Sequence, residues 1–277
     1  MNEKQGTNGT EKGKSRSERL KKCLKRGMIV LQETFFPTDY VCELCRREKP
    51  SDGCPVCLSC REDLPFLKEN YCHRCGAYVG DESDFCNNCA EHTPLFTQGA
   101  SVFSYEGGAK RLLLKYKEGR GRYLADWFAE LLIERAGEMG WSADCLTYVP
   151  MTAKKRRRRG FNQAEVLARK MGERTGLPVL PLLEKVKDPP HAQKELSKEE
   201  RLENLKGCFV CPAGESLKGM RILLIDDVKT TGATAEECAR VLFKKRAAEV
   251  LLLTLCSTRP KITWEEPEEG EKPENAP

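Results

Sequence analysis

The amino-acid sequence predicts an α/β protein in which a mostly five-stranded parallel sheet is flanked by helices and preceded by a small cysteine-rich module. Three observations lead to this class. An apolar run at 221–225 is followed by a polar loop and then by a helix-forming segment at 235–246. Strand-like and helix-like segments also alternate between residues 95 and 174. Nine of the fifteen cysteines lie between Cys42 and Cys89.

Length and composition agree with one α/β domain and a small appendage. The chain has 277 residues, of which 39% are hydrophobic and 32% are charged. Its longest apolar runs, such as 250–256, are far too short to span a bilayer. The amino end is polar and lacks the apolar core of a signal peptide. We therefore expect a soluble cytoplasmic protein without membrane insertion.

The two ends of the chain carry opposite charge. Residues 1–27 contain nine Lys or Arg against three Glu, whereas residues 259–277 contain three Lys or Arg against six Glu. Both ends lack apolar periodicity, so we expect disordered tails, the first with a short helix. The basic tail has no aromatic residue before position 35, which favours a solvated tail over a dedicated nucleic-acid arm.

Cysteines in the amino-terminal module recur as C-x-x-C pairs. In a cytosolic chain such pairs are typical of zinc knuckles, because two thiolates on one tight turn supply adjacent corners of a tetrahedron. The simplest pairing gives two zinc sites, Cys42, Cys45, Cys57 and Cys60 for the first, and Cys72, Cys75, Cys86 and Cys89 for the second. Cys54 is left over. Interleaved pairing, His73 as a ligand, and a disulfide or redox framework are the alternatives.

Closed four-cysteine sites leave no open coordination position, so we expect structural zinc. The module has few large apolar residues, and its folding should therefore depend on metal. Removing zinc should unfold residues 40–90 and leave the rest largely folded. The later pair Cys208 and Cys211 reads as buried strand, and three further cysteines read as core residues, Cys145, Cys238 and Cys256.

Two adjacent carboxylates, Asp226 and Asp227, end the apolar run at 221–225. The loop that follows consists of small residues, Thr230, Thr231, Gly232, Ala233 and Thr234. At the amino end of a helix such a loop can bind a phosphate through backbone N–H groups and threonine hydroxyls. Paired carboxylates can accept hydrogen bonds from vicinal hydroxyls or hold hydrated Mg²⁺. Phosphate together with a diol indicates a ribose 5-phosphate.

This stretch resembles the phosphoribosyl-pyrophosphate loop of the type I phosphoribosyltransferases, in which an apolar run, two acids and a short spacer precede T-T/S-G-x-T. Every position of that pattern is filled. The resemblance implies that Asp226 and Asp227 contact the ribose and Mg²⁺ and that residues 230–234 bind the 5′-phosphate. No Walker A motif occurs in the chain.

The middle of the chain predicts further elements of the sheet domain. We expect strands at 95–105 and 145–151 and helices at 109–117, 123–139 and 162–174. Two aromatic residues of the second helix, Trp127 and Phe128, read as core. Six consecutive cations, Lys154 to Arg159, fall in the predicted loop before the third helix, where they could grip pyrophosphate or a nucleic-acid backbone.

The segment from Val149 to Gln163, V-P-M followed after six residues by R-R-G-F-N-Q, is similar to the signature of the ComF family of competence-associated phosphoribosyltransferase-like proteins. The family's double zinc ribbon and its L-L-K-Y lysine motif also have counterparts. A later motif corresponds to Gln193, Leu196, Arg201 and Asn204, although Pro190 replaces a common threonine. The resemblance implies that three cations lie near pyrophosphate, Lys155, Arg157 and Arg159.

With these assignments the predicted organisation has four parts. They are a basic tail at 1–39, a double zinc ribbon at 40–92, a type I phosphoribosyltransferase-like domain at 93–258 and an acidic tail at 259–277. The resemblance implies single-stranded DNA processing in natural transformation, with other competence or recombination proteins as further partners. In that interpretation Tyr116 and Tyr123 stack on bases along a single-strand track.

The alternative is an active phosphoribosyltransferase that moves ribose 5-phosphate to an unidentified nitrogenous acceptor and releases pyrophosphate. Mg²⁺ and the basic loop would then stabilise the leaving group. No acceptor-binding segment is legible in the sequence. A third interpretation is a sensor in which phosphoribosyl pyrophosphate and DNA each change the affinity for the other.

Overall fold

The structure is a computed structural model, and it describes residues 41–51, 53–80, 83–119, 121–190, 198–212, 214 and 216–258. Both predicted tails lie outside these residues, as do Gln193 and Leu196 of the later motif. Among the described residues, no helix combines the length and apolarity needed to cross a membrane.

Helices and strands alternate along most of the described chain. The helices are α1 Leu58–Glu62, α2 Asn87–Glu91, α3 Gly107–Lys117, α4 Leu124–Glu138, α5 Ala153–Arg159, α6 Gln163–Thr175, α7 Lys198–Leu205 and α8 Ala233–Lys244. The strands are β1 Gln98–Ser104, β2 Cys145–Tyr148, β3 Glu184–Lys185, β4 Phe209–Val210, β5 Arg221–Lys229 and β6 Glu249–Ser257.

The main sheet is parallel, with strand order β1-β6-β5-β2, and the predicted fold class is confirmed. The prediction of five strands is wrong for the described residues, because the sheet has four. The segment after α6 reaches β2 only through a single parallel bridge between Leu146 and Val179. Pro178 and Pro181 flank that bridge and lack the N–H groups that a longer ladder needs.

Alternate residues of β5 belong to two separate cores, one on each face of the sheet. Leu223 and Ile225 pack with residues of α4 and α6, whereas Ile222 and Leu224 pack with residues of α8. The period of two places successive side chains on opposite faces. Trp127 and Phe128 are buried in the first core, as predicted, and Cys145, Cys238 and Cys256 are also buried.

Both halves of the cysteine-rich module share these cores. Val56 and Leu64 from its first half join the core beneath α4, and Val79 from its second half joins the core beneath α8. Between the halves, Phe66 forms an antiparallel bridge to Phe103 of β1, which covers that edge of the sheet. The two halves therefore dock on opposite faces of one domain.

Two predicted boundaries in the site region are wrong. The six cations form most of helix α5 rather than a loop, because Thr152 caps its amino end and Gly160, at φ +83°, ends it. Lys and Arg are also good helix formers. Strand β5 runs past the two acids to Lys229, because β6 continues beside it as far as the pair Lys229 and Ser257.

Candidate functional site

Asp226 and Asp227 lie on β5 near its carboxyl end, with successive side chains directed to opposite faces of the sheet. The backbone N–H of Asp227 donates to Asp226 Oδ1 at 2.8 Å. Burial, followed by the nearby charge of Asp227, raises the pKa of Asp226 to about 8. Two neighbouring carboxylates that resist ionising together form a favourable donor set for a divalent cation such as Mg²⁺.

Two lysines near these acids were not singled out from the sequence. Lys117 Nζ lies 3.4 Å from Asp227 Oδ2, at the end of α3. The side chain of Lys185 is only 10% exposed, and its charge acts on Asp226. Its desolvation, together with the charge of Lys155, lowers the pKa of its ammonium group. The family's lysine motif pointed instead to Lys115, which pairs with Glu43 of the first zinc ribbon. The contacts of Lys117 and Lys185 depend on tertiary structure that no local pattern encodes.

The small-residue loop joins β5 to the amino end of α8. Gly232 has φ +88°, a left-handed conformation that favours glycine, and it precedes the first residue of the twelve-residue helix. Thr230 is exposed, and Thr231 and Thr234 are partly exposed. Thr231 Oγ1 accepts a hydrogen bond from the N–H of Ala233 at 3.5 Å. Hydroxyls and helix amides are therefore available at one surface, as phosphate binding requires.

The second half of the cysteine module forms a wall of this loop. Lys229 is buried, and its Nζ lies 3.5 Å from Cys75 Sγ. His92 Nε2 lies 3.3 Å from the carboxylate of Glu236, which is buried in the first turn of α8. A hollow of about 20 Å³ separates the two parts. Two side-chain contacts, one on each side of the loop, thus connect it to the second half of the cysteine-rich module.

The eight predicted zinc ligands lie in the two predicted sets. Within each set the sulfur atoms lie within 4.8 Å of one another. Cys45 Sγ and Cys57 Sγ are 3.9 Å apart, and Cys75 Sγ and Cys86 Sγ are 3.7 Å apart. Zn–S bonds of about 2.3 Å give a tetrahedron with edges of roughly 3.8 Å, so both sets fit structural zinc. The described cysteines form no disulfide, and Cys54 belongs to neither set.

Most cations of α5 point to solvent or pair locally. Lys155 pairs with Asp188 at 3.1 Å and Arg156 pairs with Glu165 at 3.1 Å. Arg159 Nη1 donates to Gln163 Oε1 at 3.5 Å. Within the described part of the chain, the remaining three are exposed and make no ion pair, Lys154, Arg157 and Arg158. The structure therefore presents α5 as a cationic surface and shows no contact from it to the acid pair.

The R-G-F-N-Q signature joins α3 to α6. Asn162 caps α6 by accepting from the N–H of Ala164 at 3.1 Å. Gln163 Nε2 donates to the carbonyl of Lys117 at 3.3 Å, and Tyr116 Oη donates to the carbonyl of Gln163 at 2.9 Å. These bonds hold the end of α3, and so the backbone of Lys117, beside Asp227.

The prediction that Tyr116 stacks on bases is wrong. Its side chain is fully buried, with its ring packed edge-on against Phe128 and Phe161. Tyr123 is partly exposed, but its hydroxyl donates to Glu43 of the first zinc ribbon. The L-K-Y-K segment is thus a packing element of α3 and does not form a stacking platform.

Comparisons with known proteins agree with the two predicted parts of the chain, the double zinc ribbon and the phosphoribosyltransferase-like domain. Residues 31–90 match the double zinc ribbon domain family, and residues 157–274 match the phosphoribosyl transferase domain family. The chain is 28% identical over 224 residues to DNA utilization protein YhgH of Salmonella typhi, a match that covers 79% of this chain and 97% of the relative. It is 29% identical over 208 residues to competence protein ComFC of Bacillus subtilis, covering 72% and 83% respectively.

A solved structure of glutamine phosphoribosylpyrophosphate amidotransferase from B. subtilis also overlaps this chain. The identity is 22%, the TM-score is 0.32, and the overlap covers 47% of this chain and 25% of that one. The two domain matches and the relatives that extend over most of the sequence agree with each other. The chain therefore combines a double zinc ribbon with a phosphoribosyltransferase-like domain, and it is similar over most of its length to ComFC and YhgH, as the resemblance to the ComF family predicts.

Proposed function

We propose that this chain binds phosphoribosyl pyrophosphate with Mg²⁺ at the carboxyl end of β5 and acts with single-stranded DNA in DNA uptake. One observation carries the ligand assignment. Two adjacent carboxylates on β5 precede, by a spacer of Val228 and Lys229, a loop of small residues at the amino end of α8. This arrangement offers acceptors for ribose hydroxyls and donors for a phosphate on one continuous stretch of chain.

Each group has a distinct part in the proposed binding. Residues 230–234 would donate backbone N–H and hydroxyl hydrogen bonds to the 5′-phosphate. Asp226 and Asp227 would accept from the ribose hydroxyls and hold Mg²⁺, which supplies positive charge for the pyrophosphate oxygens. Lys117, beside Asp227, and Lys185, whose charge acts on Asp226, would add positive charge for the pyrophosphate.

The relatives and the surface charge support the DNA assignment. Two relatives are named for DNA utilization and competence. Helix α5 exposes Lys154, Arg157 and Arg158 without acidic partners among the described residues. Such cations bind nucleic-acid phosphates and release counterions. A cytoplasmic setting agrees with the eight cysteines grouped in two four-sulfur sets, since a reducing compartment keeps thiolates available for zinc.

Transfer of ribose 5-phosphate to a nitrogenous acceptor is a second candidate function. It is favoured by Lys185, a largely desolvated cation whose charge acts on Asp226. A cation held in a desolvated position can stabilise the charge that develops on a departing pyrophosphate. Release of pyrophosphate from phosphoribosyl pyrophosphate in the presence of candidate nitrogenous acceptors tests this function. Binding without pyrophosphate release for any acceptor leaves the ligand-binding role alone.

Calorimetric titration of the zinc-loaded protein with phosphoribosyl pyrophosphate and Mg²⁺ tests the ligand assignment. We expect binding by the parent and none by the Asp226→Asn, Asp227→Asn protein. Lys117→Met should weaken binding by roughly ten- to a hundredfold, because a charge-assisted contact is worth about 1.5–3 kcal/mol. Lys110→Met is the matched control, since Lys110 is an exposed lysine of the same helix. Equal affinity of the parent and the doubly substituted protein would overturn the assignment.

A further inference from the structure

Arg135, near the end of α4, is a buried cation with an incomplete set of partners. Its side chain is only 6% exposed. Nη1 donates to Glu138 Oε2 at 2.9 Å, and the ring of Tyr71 covers the guanidinium with its centroid 4.3 Å from Cζ. Nε and Nη2 are both buried, and neither has a hydrogen-bond partner in the described structure.

The two unpaired donors of Arg135 lie on the same edge of the guanidinium group. Nε–H and Nη2–H point in nearly parallel directions, and this edge binds two oxygens of a carboxylate or phosphate at once. Lysine cannot reproduce that geometry, because its ammonium is a point charge without a planar fork. An oxyanion bound at this edge would stabilise the guanidinium, because a buried charge without a partner is unfavourable.

A cavity of about 130 Å³ adjoins Arg135. It lies between α4 and the segment that links the two zinc ribbons, above Val102 of β1. Leu67 N–H donates to the carbonyl of Val102 at 2.9 Å, which fixes the linker wall to the sheet. Because a water molecule takes about 30 Å³ in the liquid, the cavity has room for a tetrahedral oxyanion.

The charges around the cavity favour an anion. Arg61 and Lys68 are exposed cations on its lining, and Glu134 and Glu138 are exposed acids. Three cations thus face two carboxylates, one of which already bonds Nη1 of Arg135. The excess of one positive charge favours an anion, and a phosphate has enough oxygens to contact Arg61 or Lys68 as well as both donors of Arg135, which a single carboxylate does not.

We propose that Arg135 and this cavity form a second oxyanion site, which binds a phosphate group as inorganic phosphate or as a monoester. In the proposed complex the side chain of Arg135 turns Nε and Nη2, which are covered in this structure, toward the cavity, where they bind two phosphate oxygens. Arg61 and Lys68 close over the exposed side. The site shares no residue with the loop at 230–234. It does not depend on the function proposed for that loop.

Calorimetry with inorganic phosphate, in phosphate-free buffer, tests this site on the full zinc-loaded chain. The loop variant Thr231→Val, Thr234→Val separates it from the proposed phosphate loop. We expect that variant to bind phosphate with unchanged affinity at the Arg135 site. Arg135→Met and Arg135→Lys in the same background should bind at least about tenfold more weakly. Methyl phosphate should also bind, which identifies monoesters as ligands, and acetate should bind more weakly than phosphate.

Three results would overturn the proposal. The first is that the folded loop variant does not bind phosphate at millimolar concentration. The second is that Arg135→Met leaves the affinity for phosphate unchanged. The third is that acetate binds as tightly as phosphate. Circular dichroism and a thermal melt show whether each variant folds. If Arg135→Met fails to fold, the affinity of Arg135→Lys for phosphate tests the proposal instead. That variant keeps the charge and the long side chain but loses the two-donor edge.

Discussion

At Asp226 the folded chain holds a carboxyl group whose pKa is raised to about 8, first by burial and then by the charge of Asp227. In the unfolded chain the same group has its ordinary pKa of 3.8. Between these two values the folded state binds a proton that the unfolded state lacks. The free energy of unfolding therefore falls as the pH rises through this window.

Replacing Asp226 by Asn should remove this pH dependence. One proton is worth at most about 1.4 kcal/mol per pH unit, and partial exposure reduces that slope. We expect the stability of Asp226→Asn relative to the parent to increase from about pH 5 to about pH 8. Urea unfolding of the zinc-loaded proteins without Mg²⁺ measures the difference. Asp227→Asn should weaken the dependence without removing it, and equal slopes for the parent and Asp226→Asn would contradict the account.

Helix α5 is the element that we expect to contact DNA. Arg157→Gln with Arg158→Gln should lower the affinity for single-stranded DNA and reduce the slope of log affinity against log salt by roughly 0.7 per lost contact. Fluorescence anisotropy with a labelled oligonucleotide measures both quantities. Lys218→Gln with Lys244→Gln is the matched control. It removes the same charge from exposed residues before β5 and at the end of α8, away from the carboxyl edge of the sheet.

Two outcomes of the DNA experiment would contradict the assignment of α5. The first is an equal loss of affinity in the control protein, which would indicate a general effect of net charge. The second is binding by the parent that does not depend on salt, because phosphate contacts release counterions. Reduced binding confined to the α5 variant would support the assignment.

The second zinc ribbon is the element that we expect to hold the phosphate loop in place. Cys86→Ser with Cys89→Ser should release one zinc and lower the affinity for phosphoribosyl pyrophosphate by about tenfold or more, because Lys229 and Glu236 would lose their partners in the ribbon, Cys75 and His92. Cys57→Ser with Cys60→Ser, in the first ribbon, should release one zinc with a smaller effect. Zinc content, circular dichroism and calorimetry are measured together, and an equal effect of the two pairs would contradict the account.

At the scale of the whole molecule, the sequence predicted the architecture because the determining signals are local. Apolar runs, C-x-x-C pairs and the acid and threonine motif each occupy a short stretch. The parallel sheet and the four-sulfur groupings follow from them. The helical state of α5 is not evident from the sequence, because a run of six cations is typical of a solvated loop, whereas this helix depends on its caps at Thr152 and Gly160.

Features that depend on tertiary packing could not be predicted in this way. Lys117 reaches Asp227 only because Gln163 holds the end of α3, across a long separation in sequence. The burial of Tyr116 follows from the same packing. The docking of the two ribbons on opposite faces depends on side chains such as Leu64 and Val79, which no motif marks.

A crystal structure of the zinc-loaded protein grown with phosphoribosyl pyrophosphate and Mg²⁺ tests the central claim most directly. The account predicts the 5′-phosphate on the backbone N–H groups of residues 230–234. It also predicts the ribose hydroxyls and the metal beside Asp226 and Asp227, with Lys117 close to the ligand. A loop without ligand at saturating concentration, or a ligand bound away from these two acids, would contradict it.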